Sequence, residues 1–331
     1  MVIVSVQPCG SKTVPFASGC LRGARHFDKG SVTSVAPQLV ECSGIVIANP
    51  RFKIWSARKL DKDATIELCN DKKAEHGAAR VNKSLLPDDP KLKAIRKLVG
   101  EARNYHYEHT LPWEDRGGGR ILPAGLYVPY QKQMDTFVAD ITKLIDEFCE
   151  ANYYDKAVAD GMIKLGELAD KWEYPSNWQV RQSFEADVAY YPIPNPQDFR
   201  VQLGAQEIQR LKKTARVHEK VIIKKATEHL WARLSKLAAH AHERLADPDK
   251  SFHKTLTSNI NHFNEIVSEL NIGEDRFINE IAKDLADTVG AQDVDALRKD
   301  PDARADAAAH AESAIDKINK QMAAFQNANK S

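Results

Sequence analysis

AQEIQRLKKTARVHEKVIIKKATEHLWARLSKLAAHAHERL, residues 205–245, is the stretch that decides the fold. Ala215, Ala226 and Leu237 recur every eleven residues, as do Leu211, Ile222, Arg233 and Arg244, and also His218, His229 and His240. Eleven residues in three turns is about 3.67 per turn, so each set stays on one face of a nearly straight or slightly right-handed helix. Such a helix over 205–245 is roughly 60 Å long at the usual rise. It cannot bury itself, and it predicts either a long antiparallel neighbour or a second subunit.

Downstream, the signals stay helical. Asp247-Pro248 reads as a cap before a helix marked by Leu256, Ile260, Phe263, Val267 and Leu270, and 271–274 reads as a turn. Phe277, Ile278, Ile281, Leu285 and Val289 mark another helix, with Gly290 placed as its C-terminal cap. A short helix crosses Ala296, and Asp300-Pro301 opens a last one with Ala311, Ile315, Ile318, Met322 and Phe325 on its apolar face.

Upstream, the pattern is mixed. Residues 1–37 are rich in Gly, Ser, Val and Pro without helical period, and are expected to form a poorly ordered arm or to follow a mis-assigned start. In VECSGIVIANPRFKIW, residues 40–55, β-formers flank Asn49-Pro50, which predicts two short strands around a turn. Helical signals begin at Leu60, and Asp89-Pro90 caps a helix to about 107. Residues 109–129 hold three prolines and four glycines and read as a loop. From Tyr130 an apolar stripe (Met134, Phe137, Ile141, Leu144, Phe148) marks a helix, and a second runs from Tyr154 to Trp172. Ser176 caps a short helix to about Val188. An extended proline-rich connection follows, and DFRVQL (198–203) reads as one more strand. The fold class is therefore mainly α: long antiparallel helices with a small β-hairpin element near residues 40–56. The expected domains are the arm, a mixed region at 38–129, and a helical domain at 130–331.

Composition bounds the function. The sequence is 331 residues long with 47 basic and 46 acidic side chains, so the net charge of +1 names no partner. The charge alternates by segment, however. Residues 201–245 carry 10 basic against 4 acidic side chains, and residues 246–331 carry 10 against 16. Either the segments neutralise one another in the fold, or a basic face meets an acidic partner. The five cysteines, Cys9, Cys20, Cys42, Cys69 and Cys149, form no CxxC pair and read as reduced thiols. No run of about 18 apolar residues exists and the start lacks a signal-peptide pattern, so a cytoplasmic protein with no membrane partner is expected.

Chemistry-bearing clusters are sparse. His106, Glu108, His109 and Asp115 have metal-ligand chemistry but no third ligand placed by spacing, so a polar helix end is the preferred reading. Arg116 and Arg120 flank Gly117-Gly118-Gly119 and could touch a phosphate, although the P-loop pattern is missing. His218, His229 and His240 are too far apart along the helix to share an ion. The densest basic run is Lys212, Lys213, Arg216, Lys220, Lys224 and Lys225, in which Arg216, Lys220 and Lys224 share a face. It is either a solvated face or a phosphate-backbone contact. No triad, carboxylate pair or dinucleotide fingerprint is present, so no catalytic residue, metal or cofactor is assigned.

Short stretches add a resemblance: 55–60 (WSARKL), 111–123 (LPWEDRGGGRILP), 174–176 (YPS), 192–201 (PIPNPQDFRV) and 230–234 (LWARL). Through them residues 40–325 resemble an uncharacterised helical protein family of bacteriophages and other mobile elements. The resemblance implies no activity and carries over no functional residue. It implies a bacterial host cell and, through the genes that accompany such proteins, an AAA+ ATPase of MoxR type as a partner. Two functions are expected from these readings. One is a non-catalytic nucleic-acid-binding protein in replication, recombination or packaging, with DNA or RNA contacted by Arg116, Arg120, Lys213, Arg216, Lys220 and Lys224. The alternative is a homo-oligomeric scaffold or adaptor for a protein partner such as the ATPase.

Overall fold

The computed structural model describes residues 44–75, 77–113, 119–193 and 204–328. The arm at 1–37, the DFRVQL segment, Asp115, Arg116 and the first two glycines of the triplet lie outside the described residues. The order along the chain is β1 (Ile45–Lys53), β2 (Arg58–Asp61), α1 (Lys62–Asp71), β3 (Val81–Ser84), α2 (Pro90–His109), β4 (Leu111–Pro112) and β5 (Arg120–Pro123). Then come α3 (Ala124–Phe148), α4 (Ala151–Leu165), α5 (Asn177–Gln182), β6 (Glu185–Pro192) and α6 (Ala205–Ala246). The chain ends with α7 (Thr255–Leu270), α8 (Arg276–Leu285), α9 (Val294–Lys299) and α10 (Pro301–Ala328). The fold is mainly α, with a small antiparallel sheet ordered β4-β5-β1-β6 and a separate β2-β3 pair. No helix of the described residues is long and apolar enough to cross a membrane.

The long helix is present as read, 42 residues from Ala205 to Ala246. Its antiparallel neighbour is α10. Ala226, Leu230, Leu234, Ala238, Ala241 and Leu245 of α6 are buried, as are Ala307, Ala308, Ala311, Ala314 and Ile318 of α10. Alanine on both sides of a helix pair lets the axes approach closely, where bulkier side chains would hold them apart. α7 and α8 close this core from the other side. Trp231 is 1% exposed and donates its indole N–H to Asp275 Oδ2 at 3.0 Å, so the largest buried side chain carries no unmet donor. A second apolar core lies among α2, α3, α4 and α5, built on Leu92, Ile95, Ile141, Ile145, Phe148 and Tyr154.

Several local readings are corrected. Asn49-Pro50 makes no turn, because β1 runs straight through it and pairs with β6 along its length. β5 covers β1 only from Ile45 to Ala48, so one side of the strand is open at Pro50, where a residue without N–H is tolerated. The helix capped by Ser176 has its full capping box with Gln179 but stops at Gln182. Residues 185–192 are a strand instead, since their partner β1 lies far away in sequence. The helix expected to reach Trp172 ends at Leu165. The Asp247-Pro248 pair opens no helix. α7 starts at Thr255, after a loop whose Phe252 is buried in the core. Gly290 closes a π-helical turn over Ala286–Gly290. A Cβ there would stand 2.2 Å from Asn261 Oδ1 of α7, whose amide donates to the Gly290 carbonyl at 2.9 Å, so a side chain at 290 would displace Asn261.

One side chain fastens that loop. Arg304 of α10 donates to the carbonyls of Leu245 (3.0 Å), Arg244 (2.9 Å), Pro248 (3.1 Å) and Lys250 (3.0 Å), and also to that of Asp247. Its guanidinium lies 5.0 Å from the Phe252 ring. It satisfies carbonyls that the C-terminus of α6 leaves open and ties them to the helix that covers α6. Arg304→Met keeps the apolar stem and removes the donors. It is expected to lower unfolding free energy by about 2–4 kcal/mol, read from urea denaturation, because charged hydrogen bonds are each worth about 1.5–3.

Candidate functional site

The polar interior lies where the C-terminal end of α2 meets β5, α3, α6 and α7. α2 delivers His106, Glu108 and His109. Its last turn ends at Thr110, whose extended backbone leads into β4. His106 is 3% exposed and its Nδ1 is 2.6 Å from the Tyr130 hydroxyl, while its Nε2 is buried without a partner. Burial, reinforced by the Arg120 charge, pushes its pKa down to about 3, so it is neutral.

Arg120, at the start of β5, points inward. Its Nε donates to Thr110 Oγ1 at 2.8 Å, Nη2 donates to the Thr110 carbonyl at 3.0 Å, and the guanidinium lies 4.9 Å from the Tyr107 ring. Burial lowers its pKa. On α6, His229 and Arg233 sit one turn apart. His229 Nδ1 and Arg233 Nη1 are both buried and unpartnered. Burial first, then the Arg120 and Arg233 charges, bring His229 to about 4. Burial brings Arg233 to about 10, with the Glu108 carboxylate opposing that fall.

A second group sits at the rim. His109 is 7% exposed, stacks on Tyr105 with ring centroids 3.9 Å apart, and bonds through Nδ1 to the Tyr105 carbonyl at 2.8 Å. A carbonyl only accepts, so Nδ1 carries the proton and Nε2 keeps its lone pair. The His262 ring of α7 lies 5.2 Å from that of His109, and its Nε2 is 3.9 Å from Glu108 Oε2. Desolvation lowers the His109 pKa, with the His262 and Arg233 charges acting the same way.

The sequence-level clusters are thus redistributed. His106 and His109 part company, His106 toward Tyr130 and His109 toward His262, and Glu108 joins His109. Asp115 and Arg116 are outside the described residues. Of the helix histidines, His218 is exposed with its ring 6.3 Å from that of Trp113, His240 is exposed, and only His229 enters the interior. Lys213, Arg216 and Lys220 are exposed on α6, and Lys224 is half-buried where that helix enters the core. Sequence reading missed Arg233, His229 and His262 as a group. The one available signal was the pairing of His229 with Arg233 at i, i+4 around Leu230, Trp231 and Ala232. Comparisons with protein-family models, curated proteins and solved structures find no match to the chain.

Neutral imidazoles with free nitrogens can ligate or accept protons, and a buried guanidinium with a free N–H can hold an oxyanion. The same burial sets a pH dependence. His106 and His229 have native pKa values of about 3 and about 4 against 6.5 for the free side chain. The unfolded chain therefore binds protons that the native state refuses, and stability is lost as pH falls below 6.5 toward 4. His106 contributes at most about 1.4 kcal/mol per pH unit inside that window, and the less buried His229 contributes less because solvent screens it. Urea unfolding between pH 6.5 and 5 is expected to show this loss, and His106→Asn to flatten it. A profile identical in wild type and variant contradicts the assignment.

Proposed function

We propose that this protein is a non-catalytic nucleic-acid-binding accessory protein of bacteriophage type, acting in replication, recombination or packaging, with the first half of α6 as its contact surface. One observation carries the reading: no residue from 205 to 221 is buried, whereas buried positions begin at Ile222. This free half carries Arg210, Lys212, Lys213, Arg216 and Lys220 against only Glu207 and Glu219. Lys212, Lys213, Arg216 and Lys220 line a shallow groove with Gln209 and Val217. A stretch of helix with no fully buried residue contributes little to the core, and its spacing of cations suits successive phosphates of DNA or RNA. Arg120 belongs to the interior and takes no part in this surface. The phage setting rests on the resemblance in short stretches of sequence.

The test is fluorescence anisotropy of labelled single- and double-stranded DNA at low and near-physiological salt. If the five cations each neutralise one phosphate, log K falls with log salt at a slope of about −4 to −5 for duplex, or somewhat less for single strands. The triple variant K213E/R216E/K220E is expected to lose binding at least a hundredfold with an unchanged circular dichroism spectrum, since all three side chains are exposed. Unchanged binding by that variant rejects the reading.

A second reading is favoured by Leu211, Val217 and Val221, which are exposed on the same free half at 36%, 57% and 42%. Apolar side chains there suit a helix-to-helix contact in a homo-oligomeric scaffold, or an adaptor seated on a protein partner such as an AAA+ ATPase. Light scattering over a wide concentration range separates the cases. This homo-oligomer predicts assembly without nucleic acid that Val217→Lys disrupts, and a strict monomer rules it out.

A further inference from the structure

Glu108, His109 and His262 each place one ligand atom within 4.8 Å of the other two, and they come from two helices that the sequence separates by about 150 positions. A tetrahedral ion bound at the usual 2.0–2.1 Å needs donor atoms about 3.4 Å apart. The remaining contraction is small, and it falls on Glu108 and His262, whose side chains are 52% and 40% exposed and free to turn.

The fixed member is His109. Its Nδ1–H is committed to the Tyr105 carbonyl and its ring is stacked on Tyr105, so Nε2 is held as the free donor. The His262 Nε2 lies 3.9 Å from Glu108 Oε2, and its Nδ1 lies 3.9 Å from Glu265 Oε2, outside hydrogen-bond distance. An oxygen acceptor behind a ligating imidazole, as the Tyr105 carbonyl is behind His109, is the usual outer shell of a protein metal site. Glu108 and His109 are also the last two residues of α2, where the negative end of the helix dipole favours a cation.

We propose that Glu108, His109 and His262 bind a divalent first-row transition metal ion, Zn²⁺ or an ion of similar chemistry, through two imidazoles and one carboxylate. Imidazole excludes Mg²⁺ and Ca²⁺, which take oxygen ligands. Three protein ligands leave at least one coordination position open.

The test is Co²⁺ titration of the metal-stripped full chain, followed by visible d–d absorption and calorimetry, with Zn²⁺ as competitor. One saturable site per chain is expected, with Mg²⁺ failing to compete. His262→Ala and Glu108→Gln are each expected to weaken binding at least tenfold while leaving the thermal transition in place, since both side chains are largely solvent-facing. Replacing all five cysteines by serine is expected to leave the affinity within twofold. Absence of saturable Co²⁺ binding overturns the proposal. So does wild-type affinity in both His262→Ala and Glu108→Gln, or loss of the site in the cysteine-free variant alone.

Discussion

A helix of 42 residues is longer than the core that can cover it, and most of this structure follows from that mismatch. Only residues 222–246 have buried positions, and they are covered by α10, α7 and α8. Small side chains on α6 and α10 bring the backbones close, and Arg304 closes the end of the pair by satisfying the terminal carbonyls of α6. The other half of α6 has no fully buried position, its one described ring contact being His218 with Trp113, and its side chains match that condition. They are mainly cations, with a few apolar residues among them.

The mismatch also explains where the polar interior lies. α6 enters the core beside the end of α2, and the side chains that it presents there are not all apolar. His229 and Arg233 arrive opposite His106, His109 and Arg120. Burial then acts on all of them in one direction, neutralising the histidines and weakening the proton affinity of both arginines. Several of their polar atoms stay unpartnered, and groups of that kind are normally met by ordered water or by a ligand. The rim trio of Glu108, His109 and His262 is the part of this region whose geometry names a ligand class.

Local chemistry made the helices legible. The Asp89, Ser176 and Asp300 caps, the eleven-residue spacing of α6 and the apolar stripe of α10 all act within a few turns, so the sequence displays them directly. What depends on distant pairing was not legible. Asn49-Pro50 reads as a turn until β6 is placed alongside, and residues 185–188 read as a helix tail until β1 is. The same holds for the candidate sites. The basic face was visible because it lies on one helix. The His109 cluster was half visible: Glu108 and His109 are neighbours, but His262 joins them only after α7 packs against the end of α2.

Residues 222–246 of α6 hold the fold, and residues 205–221 are the half proposed to meet a partner. Native-state hydrogen exchange resolved along α6 tests this directly. Slow exchange is expected for amides in 222–246 and fast exchange for those in 205–221, with an oligonucleotide slowing only the latter. Equal protection of both halves in the free protein, or oligonucleotide protection confined to 222–246, would contradict it.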